Sequence, residues 1–222
     1  MKVLDVPQVG KLGLTVTWPG RNGLIRRTYV IPSNPQTLEQ LQVRSNLGTQ
    51  ANAWKSLTDA QQDAWIAAAA QIQSRPTLGQ SGPLTGLQLF TKVNCNLLTI
   101  GGAAVTDPPA VPVFTPLPID ALDIANAAGV ITVRLHTTDS PPDGTELWGA
   151  PPQSAGTRRA TRMNYLGTLD SPVSNYITIT TPITAKFGAL AAGQRLFVQV
   201  VANINGFKGV PLSFNGRVPA AA

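Results

Sequence analysis

Residues 193–206 are GQRLFVQVVANING, and this stretch decides the fold of the C-terminal half of the chain. Leu196, Val198, Val200 and Ala202 lie two residues apart, so they share one face of a β-strand. The Asn-Gly pair that ends the stretch predicts a tight turn into a further strand. Similar signals predict seven short strands, at 119–125, 129–136, 144–149, 162–169, 174–180, 195–204 and 208–217. The pattern is typical of an all-β sandwich.

A second β element is predicted near the N-terminus, at residues 12–31. Apolar residues alternate with Thr and Pro from Leu14 to Pro19, and the connection contains Asn22-Gly23, a strong hairpin signal. Arg26 and Arg27 are neighbours on the return strand, so we expect them to point to opposite faces. One of them then faces solvent or a partner while the other packs.

Three short helices are predicted after the hairpin. The first is expected from Pro35 to Ser56, with Asn34 as its N-cap. The second and third are expected to begin at Thr58 and Thr85, because each of these residues is followed three positions later by Gln, which makes a capping box.

Aromatic residues and a Pro-rich stretch predict how the chain is organised. Trp54, Trp65 and Phe90 are the expected core anchors of a small helical bundle. Residues 102–118 are rich in Pro, Ala and Val, which favours an extended, semi-rigid linker. The expected fold class is therefore α+β in two domains. A β-hairpin with a three-helix bundle occupies 1–101, the linker occupies 102–118, and the sandwich occupies 119–222.

Composition limits the classes of function. The chain has 222 residues and a formal net charge of +6, but only 13% of its residues are charged. A weakly charged surface rich in neutral polar groups suits a subunit of an assembly. One cysteine and one histidine exclude an internal disulfide and a Cys/His zinc site. With no long apolar run and no signal peptide, we expect a protein made in a cytoplasm, with no membrane partner and no cofactor.

The sequence does not favour an enzyme. His136 is the only histidine, Asp139 follows it, and no Gly-x-Ser-x-Gly elbow occurs in the chain. Asp139, Asp143 and Glu146 lie close together, but their spacing does not match the EF-hand calcium loop, and a solvated turn is expected there. Cys95 has no neighbouring cation in the sequence that would activate its thiol. We therefore expect a non-enzymatic protein with no metal site.

Two basic clusters, one on the hairpin and one in a loop of the β half, are the candidate partner-binding sites. Their residues are Arg21, Arg26, Arg27, Tyr29, Arg158, Arg159 and Arg162. Arginine side chains bind carboxylates and phosphates alike, so both an acidic protein surface and a nucleic acid stay open as partners. Trp18 and Tyr29 flank the hairpin cluster and offer a stacking surface, which nucleic-acid binding usually adds.

The C-terminal half resembles a fibronectin type III-like or immunoglobulin-like domain. The resemblance is carried by Gly129–His136, by Gly193–Gly206 with its closing glycine turn, and by Gly209–Val218. It concerns the fold alone and implies no particular function.

Residues 10–100 resemble a little-studied family of tailed phages and prophages. The family pattern begins with a basic, Gly-rich hairpin. The matching features that follow are Asn34-Pro35-Gln36-Thr37, Gln42 with Arg44 on the first helix, the segment from Trp54 to Trp65, and Gly86–Phe90. The resemblance implies a virion or virion-assembly context and supplies no functional residues.

These observations predict a structural protein of a phage virion, with capsid decoration as the first choice. We expect many copies to attach to capsid or tail subunits through the N-terminal module and to display the sandwich. Three alternatives stay open: a neck or tail component, a nucleic-acid-binding assembly factor that uses the basic hairpin, and a carbohydrate-binding adhesin. For the adhesin, Trp148 is the first residue to test.

Overall fold

The N-terminal part of the chain forms a small antiparallel sheet. The structure is a computed structural model and describes residues 9–20, 23–31, 34, 36–74, 81–160 and 162–221. β1 (Gly10–Leu12), β2 (Thr15–Gly20) and β3 (Gly23–Thr28) pair in that order. The predicted hairpin is β2–β3, although Asn22 of its turn lies outside the described residues. The sequence did not predict β1, which adds a third strand.

Three helices follow this sheet. They are α1 (Leu38–Ala53), which continues into a 3-10 turn at Trp54–Ser56, then α2 (Asp59–Ala70) and α3 (Gly86–Thr99). The two predicted capping boxes are confirmed. Thr58 and Gln61 exchange hydrogen bonds at the start of α2, and Thr85 and Gln88 do so at the start of α3.

The predicted N-cap of the first helix is wrong. The side chain of Thr37 caps α1, accepting a hydrogen bond from the backbone N–H of Gln40 at 3.3 Å. The side-chain oxygen of Asn34 instead accepts from Nη1 of Arg44 at 2.7 Å. Pro35, the predicted first helical residue, lies outside the described residues. Both Asn34 and Thr37 are residues of the N-cap type, so sequence alone could not choose between them.

The helical core is built around three aromatic rings. Trp65 is fully buried, and its ring meets Phe90 edge to face, with centroids 5.3 Å apart. The ring of Trp54 also contacts Phe90, with a centroid distance of 5.6 Å. Leu89 and Val93 of α3 complete the same buried cluster. These three aromatic residues are the ones that the sequence proposed as anchors.

The β half contains two larger antiparallel sheets and a short hairpin. The first sheet pairs β4 (Ile119–Ala127), β5 (Val130–Thr137) and β8 (Tyr176–Thr178) in that order. The second has the order β12 (Leu212–Arg217), β9 (Arg195–Val201), β6 (Glu146–Gly149) and β7 (Asn164–Thr168). β10 (Asn203–Ile204) and β11 (Phe207–Lys208) form the hairpin.

The two larger sheets enclose a common apolar core. Leu196, Val198 and Val200 of β9 are at most 2% exposed and share one face, as the sequence predicted. They belong to the same buried cluster as Val133 and Leu135 of the other sheet. The fold is therefore mixed α+β, with an apolar core between two antiparallel sheets and a separate helical cluster.

The predicted strand at 174–180 is wrong at both ends. Ser174 and Asn175 have positive φ and precede the strand. The strand β8 ends at Thr178, and α4 (Thr180–Phe187) follows it. This helix contains Thr, Ile and Pro, residues with low helix propensity, so local sequence signals do not indicate it. Its Ile183 is buried in the core between the sheets, and this tertiary packing explains why the helix forms.

Other predicted strands are also shorter or divided in the structure. The region 195–204 divides at Ala202 into β9 and β10. In the region 208–217, Lys208 belongs to β11, and the strand β12 begins only at Leu212. Pro211 immediately precedes this strand, and a proline cannot donate a backbone hydrogen bond to a sheet.

The Pro-rich segment 102–118 contains no helix or strand, and it is held against its neighbours. The indole N–H of Trp65 donates to the carbonyl oxygen of Thr106 at 2.7 Å. Phe114 packs on the helical cluster, whereas Leu117 packs on the core of the β half. The segment thus contacts both the helical cluster and the core of the β half. The division of the chain into two domains stays a prediction.

The β10–β11 hairpin inserts into the helical cluster. Its turn is formed by Asn205 and Gly206, both with positive φ, which confirms the predicted Asn-Gly turn. Phe207 is buried among the helical aromatic residues. The side chain of Asn96 on α3 donates to the carbonyl oxygen of Gly206 at 2.8 Å. The helices and the β half therefore share an interface at this hairpin.

Candidate functional site

The N-terminal sheet presents its two arginines on opposite faces, as the sequence predicted. Arg27 lies opposite Val16 of β2, whereas Arg26 lies opposite Thr17. Because side chains alternate along a strand, Arg27 shares its face with Lys11, which also pairs with Val16. Arg21 of the same predicted cluster lies outside the described residues.

One face of this sheet combines basic and aromatic groups. The ammonium group of Lys11 lies 3.8 Å from the ring centre of Tyr29, a cation–π contact. Trp18 belongs to the same face by strand alternation and is 57% exposed. Arg27 is also exposed, as is Arg26 on the other face, so the prediction that one of the two arginines packs is wrong. Such a face can bind carboxylates or phosphates and can pack against flat apolar groups.

Exposed apolar side chains are concentrated in the same part of the chain. In the described residues, twelve of the nineteen exposed large apolar side chains lie between residues 9 and 47. They are Val9, Leu12, Leu14, Trp18, Leu24, Tyr29, Val30, Ile31, Leu38, Leu41, Val43 and Leu47. We call these twelve residues, together with Lys11, Arg26 and Arg27, the N-terminal surface. Its apolar side chains lie on both faces of the sheet and on α1, and exposed apolar side chains in such number are typical of regions that bind a partner.

The charged side chains in and next to the N-terminal sheet are all positive. Residues 9–31 contain Lys11, Arg21, Arg26 and Arg27 and no Asp or Glu. The exposed apolar groups of the sheet are therefore interspersed with cations alone. A complementary surface would be apolar with carboxylates at its margin.

The second arginine cluster belongs to the β half. Arg158, Arg159 and Arg162 lie in the connection between β6 and β7, and all three are exposed. The connection is anchored by Arg195, whose Nη1 donates to the carbonyl oxygen of Thr157 at 3.3 Å. These arginines can reach a partner, but they belong to a different element from the N-terminal sheet.

The single histidine is hydrogen-bonded to a carboxyl group that the sequence did not suggest. Nδ1 of His136 lies 2.6 Å from Oδ1 of Asp120 on the neighbouring strand β4. The hydrogen bond from His136 and its charge lower the pKa of the Asp120 carboxyl. Asp139 instead accepts from the backbone N–H of Ser140 at 2.7 Å. The ring of His136 also packs edge-on against Tyr176.

The remaining candidates do not converge on a site. Among the described residues, no three His, Cys, Asp or Glu side chains lie close enough together to hold a metal ion. Burial raises the pKa of the Cys95 thiol, which makes the reactive thiolate scarcer. The helices of the described part of the chain are too short or too polar to cross a membrane.

Trp148 lies beside the carboxylate of Glu146, a residue that the sequence placed in a solvated turn. Glu146 is fully buried and accepts three hydrogen bonds, all from side chains. The indole N–H of Trp148 donates to Oε2 at 2.9 Å, and Nζ of Lys208 does so at 2.8 Å. The amide of Asn203 donates to Oε1 at 2.8 Å. Two of these partners come from distant positions, so no local signal in the sequence indicated this network.

Tyr165 extends the polar network toward the helices. Its ring meets Trp148 edge to face at 5.4 Å, and its hydroxyl donates to the carbonyl oxygen of Thr99 at the end of α3. Burial, and then the negative charge of Glu146, raise the pKa of the Tyr165 phenol. The phenol therefore stays protonated and keeps donating its hydrogen bond at neutral pH.

No family model, curated protein or solved structure matches this chain. Its function is therefore inferred from the two surfaces described above, the N-terminal surface and the region around Trp148.

Proposed function

We propose that this protein is a non-enzymatic structural subunit of a phage particle, with capsid decoration as its role. It attaches through the N-terminal module and displays the β half. The observation that carries the proposal is the concentration of exposed apolar residues in the N-terminal surface. A small sheet of this kind is marginally stable in water, so contact with a partner would both cover its apolar groups and stabilise it.

The chemistry of the N-terminal surface defines the partner's chemistry. The partner offers an apolar patch bordered by Asp or Glu side chains, because the sheet supplies exposed apolar groups and cations but no acid. Among the described strands, β3 has a neighbour on one side only, so its outer edge can also pair with a strand of the partner. Many weak contacts of this kind become strong when many copies bind a repeating surface.

The displayed part is proposed to be a fibronectin type III-like or immunoglobulin-like sandwich at 119–222. The strand order supports this assignment. Of the seven strands in the two larger sheets, the first, second and fifth along the chain form one sheet, while the third, fourth, sixth and seventh form the other. The two sheets share a buried core, as in aligned sandwiches of about one hundred residues.

Quantitative mass spectrometry of gradient-purified phage particles tests the proposal. We expect this chain in a ratio to the major capsid protein that fits a lattice of many copies. A few copies per particle would indicate that the protein is a component of the neck or tail. Its absence from purified particles would overturn the structural role and leave an assembly factor.

A matched pair of double variants tests the attachment surface. Arg26→Gln with Arg27→Gln removes two charges from the N-terminal sheet, and Arg158→Gln with Arg159→Gln removes two from the loop of the β half. All four side chains are exposed, so both variants are expected to fold. The first variant should enter particles roughly 2- to 5-fold less well, because the two arginines point to opposite faces and one interface ion pair of about 0.5–1 kcal/mol is lost. Loss in the second variant alone would place attachment on the loop, and equal loss in both would contradict attachment through the sheet.

A nucleic-acid-binding role is the second candidate, because Lys11, Trp18, Arg27 and Tyr29 share one face of the sheet. Anisotropy of labelled single- and double-stranded DNA, measured across a range of salt concentrations, distinguishes it. Under the structural proposal we expect weak binding that is the same for the two arginine variants. An affinity that falls steeply with salt, with a smaller slope in the Arg26→Gln, Arg27→Gln variant, would favour the assembly factor.

A further inference from the structure

A row of polar and aromatic side chains crosses the outer face of the four-stranded sheet. Trp148 of β6 lies opposite Tyr165 of β7 and Gln199 of β9, and Gln199 lies opposite Ser213 of β12. Leu147, the neighbour of Trp148, points into the core, so the row is on the opposite face. Four strands at about 4.8 Å spacing make the row about 14 Å long.

The two middle residues of this row, Trp148 and Gln199, form the floor of an open groove of about 560 Å³. Lys92 and Asn96 of α3 line the side formed by the helices. Lys208 lines it from the β10–β11 hairpin. The groove is therefore built jointly by the β half and the helices, at their shared interface.

The floor of the groove is held rigidly. The hydrogen bond from Trp148 to the buried Glu146 fixes the indole ring, which also packs against Tyr165. The amide of Gln199 donates to the hydroxyl of Ser213 at 3.1 Å. Groups fixed in this way bind a ligand without a large loss of side-chain entropy.

The groove carries a positive charge. Lys92 and Lys208 line it, and the only acid among its lining residues, Glu146, is fully buried and paired with Lys208. The connection that carries the exposed Arg158, Arg159 and Arg162 leads directly to Met163, another lining residue. A ligand in the groove therefore meets more cations than anions.

We propose that this groove binds a short acidic oligosaccharide. The ammonium group of Lys208 lies 5.3 Å from the ring centre of Trp148 and occupies part of its surroundings. The C–H groups of a sugar ring carry partial positive charge and can lie on the part of the half-buried Trp148 ring that lines the groove. The side-chain amides of Gln199 and Asn96, which line the groove, form hydrogen bonds with sugar hydroxyls, and Lys92 faces the sugar carboxylates. A nucleic acid fits less well, because stacking of successive bases requires several exposed rings. This inference does not depend on the proposed structural role.

Titration of the full-length protein with trigalacturonate, and with neutral maltotriose as comparison, tests the inference. We expect saturable binding of trigalacturonate with a change in tryptophan fluorescence, and weaker binding of maltotriose. Lys92→Gln should weaken trigalacturonate binding about two- to fivefold, as expected for one partly exposed ion pair, and leave maltotriose unchanged. Lys55→Gln, which removes the same charge from an exposed residue outside the groove, should change neither.

A second variant tests the contribution of an uncharged sugar contact separately from that of the Lys92 charge. Gln199→Ala removes a half-buried side chain from the floor and should weaken both sugars, while circular dichroism reports whether the fold is kept. The proposal is overturned if trigalacturonate fails to saturate below about 10 mM. It is also overturned if Lys92→Gln and Lys55→Gln change the affinity for trigalacturonate by the same factor. A third contrary result would be oligothymidylate that binds more tightly than trigalacturonate and is weakened equally by Lys92→Gln.

Discussion

Asn94 binds the backbone of Val105 with both ends of its side-chain amide. Nδ2 donates to the carbonyl oxygen at 3.1 Å, and Oδ1 accepts from the backbone N–H at 2.8 Å. Asn94 is fully buried in α3, and Val105 lies near the start of the Pro-rich segment. A single polar residue in the helical core thus satisfies two backbone groups of a segment that lacks helix or strand partners.

The first prediction concerns this residue. Asn94→Leu keeps the branched shape of the side chain but leaves both backbone groups of Val105 without their partner. We expect the free energy of unfolding to fall by about 2–4 kcal/mol, since each unsatisfied buried group costs about 1–3 kcal/mol. Urea denaturation measures the loss. Asn52→Leu, at an exposed position of α1, is the control and should change stability by less than about 0.5 kcal/mol. Equal effects of the two substitutions would contradict the assigned role of Asn94.

The second prediction concerns the turn that enters the helical cluster. Gly206 has φ 79°, and a Cβ atom there would lie 2.6 Å from the carbonyl oxygen of Val93. Gly206→Ala should therefore destabilise the protein by more than about 2 kcal/mol, from backbone strain and from steric conflict.

Gly129→Ala is the matched control for this substitution. Gly129 also has positive φ, at 86°, but a Cβ atom added there would meet no other atom within 4 Å. Its replacement should cost only the backbone strain of about 1 kcal/mol. If thermal unfolding shows the same loss for both alanine variants, the close packing of Gly206 against α3 does not contribute.

The third prediction is a stabilising substitution. Ala128 and Gly129 form the turn between β4 and β5, and Ala128 has φ 50°. Asn tolerates this left-handed conformation better than Ala, and Asn-Gly is the preferred pair in such two-residue turns. Ala128→Asn should raise the free energy of unfolding by about 0.5–1 kcal/mol. Ala127→Asn, one residue earlier in the exposed end of β4, should lower it slightly. A loss of stability in Ala128→Asn would refute the assigned turn.

The fourth prediction concerns pH. The hydrogen bond from His136, assisted by its charge, lowers the pKa of the Asp120 carboxyl in the folded protein. A carboxyl with a lowered pKa stabilises the fold above its unfolded value of about 3.9 and loses that contribution as pH falls through the folded value. In His136→Ala, the pH midpoint at which the Asp120 carboxyl carbon titrates in NMR spectra should rise. The loss of folding stability at acid pH that comes from Asp120 should disappear.

His136→Gln separates the two causes of the shift in the pKa of Asp120. Glutamine can still donate a hydrogen bond but carries no charge. We expect its Asp120 titration midpoint to lie between those of the wild type and His136→Ala. An unchanged midpoint in His136→Ala would show that Asp120 and His136 do not interact in solution.

Short-range signals in the sequence predicted much of the fold. The capping boxes at Thr58 and Thr85, the turn at Asn205-Gly206 and the buried face of Leu196, Val198 and Val200 are all present. Each depends on residues a few positions apart, whose geometry is set by the local backbone. The opposite orientation of Arg26 and Arg27 follows from the same local rule.

Features that depend on distant contacts were missed. The helix α4 forms because Ile183 is buried in the core between the two sheets, and the buried site of Glu146 requires Asn203 and Lys208. Alternation in the N-terminal hairpin would normally indicate one buried face, yet Trp18 is largely exposed there. Only the folded chain shows which apolar faces its own residues leave uncovered.

The inserted hairpin has a mechanical consequence. Because Phe207 is seated among the helical aromatic residues and Asn94 holds the segment 102–118, a load on the β half reaches α3 directly. The Pro-rich segment 102–118 then does not act as a flexible linker, and the helices and the β half move together. If copies of this chain bind a repeating surface as proposed, each copy would carry its helices and its β half as one unit.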